Sequence, residues 1–192
     1  DRLGDDGYGF ANVNASPEQN KEKQEVGFTF FIDPGRRVYV RRITISGNNR
    51  TRDEVIRREI RQLEGGWYST SKINRSRQRI DILKYFASVV VETPAVANTT
   101  DKVDVNITVK ERPTGNVMFG LGFSQQEGVI LSGNVSQANI FGTGKHLALM
   151  ANTGAVRKTF SLSFTDPYFT VDGVTAGFDI YMRSLNTNNL NA

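Results

Sequence analysis

Asn116-Val117-Met118-Phe119-Gly120-Leu121-Gly122-Phe123-Ser124 places Val117, Phe119, Leu121 and Phe123 at alternate positions, with Met118, Gly120, Gly122 and Ser124 between them. Period two is the mark of a β-strand with one apolar face. The pattern recurs down the chain. Leu147, Leu149 and Ala151 follow the turn Phe141-Gly142-Thr143-Gly144. Phe160, Leu162 and Phe164 alternate with Thr159, Ser161, Ser163 and Thr165. Val174, Ala176, Phe178, Ile180 and Met182 alternate with Thr175, Gly177, Asp179, Tyr181 and Arg183. With the weaker stretch Val129–Asn139 this makes about five strands, several near ten residues long.

Two architectures produce such strands. In a soluble sandwich the apolar face is the core. In a transmembrane barrel it meets lipid, and the polar face lines the lumen. Residues 116–192 carry only 8 charged side chains against 36 in residues 1–115. A water-facing strand surface normally carries Lys and Glu, so this scarcity favours the barrel. Five strands cannot close a membrane barrel, which in bacterial single-chain cases uses at least about eight. Either further strands lie outside this sequence or the sandwich reading holds. The absence of an initial Met, and a start in mid-pattern at Asp1-Arg2-Leu3-Gly4, suggest a piece of a longer protein.

Composition removes several function classes. With no Cys among 192 residues there is no disulfide scaffold, thiolate zinc site or Cys nucleophile. His146 is the single histidine, so two-histidine chemistry is excluded too. No apolar run approaches the roughly 20 residues of a membrane-spanning helix. Charge is segregated: residues 1–35 carry 3 basic and 7 acidic side chains, and residues 36–85 carry 14 and 5. The boundary between the charged and alternating parts is expected at Arg112-Pro113-Thr114-Gly115, where Pro lacks a donor and Gly permits a turn.

The charged part contains a repeat. Tyr8-Gly9-Phe10-Ala11-Asn12-Val13 returns as Lys84-Tyr85-Phe86-Ala87-Ser88-Val89, and Val26/Phe28/Phe30/Ile32 returns as Val103/Val105/Ile107/Val109. Each copy then meets a proline, Pro34 or Pro113. Modules at a fixed period imply an array. The complete copy reads β-α-α-β-β. Val38–Ile45 forms a strand ending at Ser46-Gly47-Asn48-Asn49. A helix opens with the capping box Thr51/Glu54, carries the stripe Val55/Ile56/Ile60/Leu63, and stops at Gly65-Gly66. A second helix runs from about Ser71 to Tyr85 with Ile73, Ile80 and Leu83 on one face. Two strands follow, joined by Asn98-Thr99-Thr100-Asp101. Residues 1–35 supply the last two strands of a preceding copy, and Trp67 is expected to anchor the second helix.

The combination resembles the BamA-type family of outer-membrane protein assembly factors, in which polypeptide-transport-associated (POTRA) modules lead into a β-barrel. The resemblance rests on Tyr39-Val40-Arg41-Arg42-Ile43, Gly47-Asn48, Thr51-Arg52-Asp53-Glu54-Val55, Arg57-Arg58-Glu59, Leu63-Glu64-Gly65, Arg75-Ser76-Arg77, Tyr85-Phe86, Glu111-Arg112-Pro113-Thr114-Gly115, Asn139-Ile140-Phe141-Gly142-Thr143-Gly144 and Asp166-Pro167-Tyr168-Phe169. It implies that 1–35 ends one module, 36–113 is the complete last module, and 114–192 is the truncated start of the barrel. It also implies a role in folding and inserting β-barrel proteins, with the modules in the periplasm. The first barrel strand would offer an unpaired edge at Phe119, Gly120, Leu121, Gly122 and Phe123 to incoming substrate. Gly120 and Gly122 either weaken that strand for opening or only relieve crowding inside the barrel. Glu64 and Arg61 would lie where the last module contacts a lipoprotein partner. Implied partners are unfolded outer-membrane proteins, assembly-complex lipoproteins and outer-membrane lipid.

Other readings are weaker. The arginines of 36–85 are interleaved with Asp53, Glu54 and Glu59 at helical spacings, so a paired or solvated face outranks a partner or anionic-lipid contact, and both outrank nucleic acid. Gly142-Thr143-Gly144-Lys145 resembles a phosphate loop but lacks its spacing and a following helix. His146 has no metal-ligand neighbours in sequence. No enzyme activity, cofactor or metal is implied. A two-partner secretion transporter and a soluble β-rich interaction module remain as alternatives.

Overall fold

The computed structural model describes residues 2–20 and 25–186, so the joint between the first two strands and the tail 187–192 of the expected barrel part lie outside it. Two compact units emerge: Asp1–Asn48 with Ile56–Lys110, and Asn49–Val55 with Glu111–Ala192.

In the first unit a short helix, α1 (Arg2–Asp5), precedes the antiparallel pair β1 (Asn12–Asn20) and β2 (Glu25–Asp33). One turn of helix leaves no periodic trace, which is why only the two strands were legible there. Then come β3 (Tyr39–Ser46), α2 (Asp53–Arg57), α3 (Thr70–Ile82), β4 (Phe86–Glu92) and β5 (Lys102–Glu111), the expected β-α-α-β-β order. β5 is central, with β4 on one side and β3 parallel to it on the other. A parallel pair needs a long crossover, which the two helices supply. Val103, Val105, Ile107 and Val109 project from one face of β5 and are 1–3% exposed. They meet a core that includes Val40, Ile56, Ile80 and Phe86, each worth about 1.5–3 kcal/mol on burial. Ser69 caps α3 by accepting the Lys72 N–H at 3.3 Å.

The first helix departs from expectation. α2 spans five residues, and Leu63, placed on its apolar stripe by periodicity, is 71% exposed. The backbone beyond it is drawn to the edge of β3. Gly65 N–H donates to Val40 C=O at 2.7 Å, Val40 N–H to Gly66 C=O at 2.9 Å, and Tyr68 N–H to Val38 C=O at 2.8 Å. Strand-like pairing there outcompetes further helix. The proposed capping box is also superseded: Thr51 N–H donates to Glu111 at 2.7 Å, while Glu54 pairs with Arg52 at 3.6 Å. Trp67 is half-exposed rather than an anchor, with the Arg37 guanidinium 5.9 Å from its ring.

The second unit holds one antiparallel meander: β6 (Gly115–Ser124), β7 (Gly128–Ile140), β8 (Lys145–Thr153), β9 (Arg157–Asp166) and β10 (Ala176–Leu185). Its register aligns the alternating residues into rows. Val117, Val135, Leu149, Leu162 and Ile180 run across all five strands, and Phe119, Gly133, Ala151, Phe160 and Met182 run beside them. The opposite face carries Gly120, Ser132, Asn152, Thr159 and Arg183 in one row, and Asn116, Ser136, Ala148, Ser163 and Asp179 in another. Phe119 is 85% exposed, so the apolar face is not the sealed core of a sandwich. No described helix is long and apolar enough to cross a membrane.

Candidate functional site

β6 is the edge of the five-stranded sheet and pairs only with β7 among the described residues. Alternate N–H and C=O groups therefore point away from β7 without a strand to receive them. Phe119, Leu121 and Phe123 stand on the apolar face, each at least 77% exposed, and Gly120 and Gly122 stand on the other. The two glycines differ. A Cβ on Gly120 would press into the Ser132 hydroxyl, whereas one on Gly122 would meet only ordinary contact with Ile130 at 3.9 Å. The Ser132 hydroxyl can rotate aside and no backbone atom closes either position, so packing alone does not demand glycine at 120 or 122.

The turn after β7 is tightly built. Asn139, Phe141, Gly142 and Gly144 all have positive φ. Asn139 sits at a register shift between Ala138 and Ile140, is buried, and its carboxamide closes the turn by accepting the Gly144 N–H at 2.7 Å. Its Nδ2 donates to Thr51 Oγ1 at 2.9 Å, and Arg52 N–H donates to Gly142 C=O at 3.0 Å. The segment Asn49–Val55 is thus seated on this turn. Glu111 grips the same segment, accepting Arg50 N–H at 3.0 Å and Thr51 N–H at 2.7 Å. Burial alone would raise the Glu111 carboxyl, but the Thr51 hydroxyl, followed by the Thr51 and Arg50 N–H groups, outweighs it and holds it below its ordinary value. Gly142-Thr143-Gly144 is accordingly a hairpin turn, not a phosphate loop. His146 continues into β8 opposite Ala138 and Thr165, and no metal-binding cluster exists among the described residues.

Glu64 and Arg61 do different things. Glu64 Oε1 accepts the Ile43 N–H at 2.8 Å, tying the chain to β3, and lies 4.0 Å from Arg57. The Arg61 backbone N–H donates to Ser76 Oγ at 2.8 Å, and its side chain lines a cavity beside α3. At the head of α3, Asp5 accepts from Ser71 N–H at 2.7 Å, Ser71 Oγ at 2.7 Å and Ser69 Oγ at 3.2 Å. Those bonds, led by the Ser71 hydroxyl, hold the Asp5 carboxyl below the usual range. Ion pairing accounts for part of the basic stretch, here between residues 20 positions apart: Arg79 meets Glu59 at 2.8 Å.

The POTRA family, described as a surface antigen variable number repeat, matches residues 38–112, and the Omp85 superfamily domain matches residues 139–192. The chain is 46% identical over 185 residues to the outer membrane protein assembly factor BamA of Neisseria meningitidis, covering 96% of this chain and 23% of that protein. It is 32% identical to BamA of Nitratidesulfovibrio vulgaris, over 95% of this chain and 23% of that one. The crystal structure of BamA from Haemophilus ducreyi lacking POTRA domains 1–3 superposes with a TM-score of 0.84 at 39% identity, over 95% of this chain and 34% of that chain. The chain therefore spans about a quarter of the length of the curated relatives it matches.

Proposed function

The chain belongs to the BamA-type family of outer membrane protein assembly factors, and on that premise we propose that it supplies the last periplasmic module and first barrel strands of a protein that folds and inserts β-barrel proteins. Residues 1–35 complete a preceding module, 36–113 form the last one, and 114–192 open the barrel. The observation that carries the reading is the exposed edge of β6, whose unpaired backbone groups can template the terminal strand of a substrate. Relatives named as assembly factors favour this role over an export pore, and the uncovered apolar face disfavours a soluble module. Substrate strands would pair along Phe119, Gly120, Leu121, Gly122 and Phe123. A cysteine replacing Leu121 in the full-length protein is expected to crosslink to a cysteine in the last strand of a substrate barrel during assembly; absence of any adduct along β6 would contradict strand templating.

Glu64 and Arg61 are proposed as the contact for an assembly-complex lipoprotein. Because Glu64 also holds Ile43, charge reversal would confuse two roles. Glu64→Gln keeps an acceptor for the Ile43 N–H while removing the charge. It is expected to weaken lipoprotein binding at least about fivefold, the loss of one charged contact. Unchanged binding would leave Glu64 a purely structural residue.

A further inference from the structure

We infer that the cavity beside α3 is a docking site for an acidic polypeptide segment. It has a volume of about 610 Å³, and its walls include Arg61, Lys72, Arg75 and Arg79. Steps of three and four residues put Lys72, Arg75 and Arg79 in one row on the helix, with successive Cβ atoms about 5–6 Å apart. Arg79 is engaged by Glu59, but Arg61, Lys72 and Arg75 make no ion pair among the described residues. Asp5, the single carboxylate of the wall, is spent on Ser69 and Ser71 and already fills the head of the helix. Like charges gathered in a concavity focus a positive potential, which an anionic partner relieves.

The shape selects among anions. A row of cations about 10 Å long, by the rise from residue 72 to residue 79, exceeds what one phosphate can bridge. Carboxylates on one face of an extended segment recur every ~7 Å, and those four apart on a helix every ~6 Å, so either matches the row. Guanidinium groups pair with carboxylates in a fork. A planar headgroup layer meets projecting cations, whereas these line a hollow. The inference deepens the proposed lipoprotein contact and rests on it only for the part Arg61 plays.

The probe is a fluorescein-labelled octaglutamate peptide titrated into the full-length protein in detergent. Arg75→Glu is expected to weaken binding at least tenfold and to reduce its salt dependence. Arg77→Glu makes the same charge change on the same exposed helix, but about 200° around the axis from Arg75, and is expected to stay within twofold. Equal losses for the two variants would overturn the inference in favour of diffuse attraction. Displacement of the peptide by millimolar inorganic phosphate would overturn it in favour of a small-anion site. Arg75-dependent binding to anionic phospholipid vesicles without peptide binding would overturn it in favour of a membrane contact. Peptide binding is read at equilibrium on purified protein with no lipoprotein present, so its failure is separable from an unchanged lipoprotein affinity in Glu64→Gln.

Discussion

Gly142→Ala is expected to accelerate amide hydrogen exchange at Arg52 at least a hundredfold, equivalent to about 2.7 kcal/mol of lost local stability. Gly142 has φ of +73°, and an added Cβ would fall on the Arg50 carbonyl, far inside van der Waals contact. The left-handed conformation alone costs an L-residue about 1–2 kcal/mol. The overlap is with backbone, so no rotamer relieves it. The segment Asn49–Val55 must then lift from the turn, taking with it the Arg52 N–H bond to Gly142 and the Asn139 bond to Thr51. Phe141 provides the control. It also has positive φ, at +49°, but is 87% exposed, so Phe141→Asn should leave Arg52 exchange unchanged. Equal protection of Arg52 in wild type and Gly142→Ala would mean the turn does not hold the segment.

Leu149→Arg is expected to destabilise the membrane-inserted full-length protein by about 2–4 kcal/mol, the cost of a cation facing lipid at mid-depth. Leu149 lies at the centre of β8 and in the middle of the row from Val117 to Ile180. Ser163→Arg, in the polar row beside Ala148 and Asp179, should cost less than about 1 kcal/mol, since its side chain remains in a hydrated lumen. Urea unfolding in lipid vesicles measures both. A larger penalty at Ser163 would reverse the two faces of the sheet.

Period two made the meander legible, because five strands that each alternate must share their faces once paired in register. The same signal said nothing about which residues would be neighbours across the chain. Thr51 and Asn139 are 88 positions apart, and their hydrogen bond follows from tertiary placement. A local hint existed in Asn139 and Phe141-Gly142-Thr143-Gly144, residues suited to positive φ, yet a partner for that turn was not inferable. Helix α2 was overextended because its apolar stripe continued to Leu63. What ended it was a competing use of Gly65, Gly66 and Tyr68 at the edge of β3. In the basic stretch, spacing suggested local ion pairs such as Arg52 with Glu54, whereas the closer pair, Arg79 with Glu59, joins positions 20 apart and follows from tertiary placement. Spacing could not reveal that Arg61, from beyond α2, would join Lys72 and Arg75 around one cavity.

Everything proposed for the β6 edge depends on hydrocarbon lying against the Val117-to-Ile180 row. Single cysteines at Leu149 and Ala148, neighbours on opposite faces of β8, can be labelled with a small fluorophore in the full-length protein in vesicles. Quenching by nitroxide lipid at position 149, with quenching by aqueous iodide at position 148, is the expected result. Iodide reaching position 149, or both quenchers failing there as in a sealed soluble core, would contradict a membrane wall and the strand edge it offers.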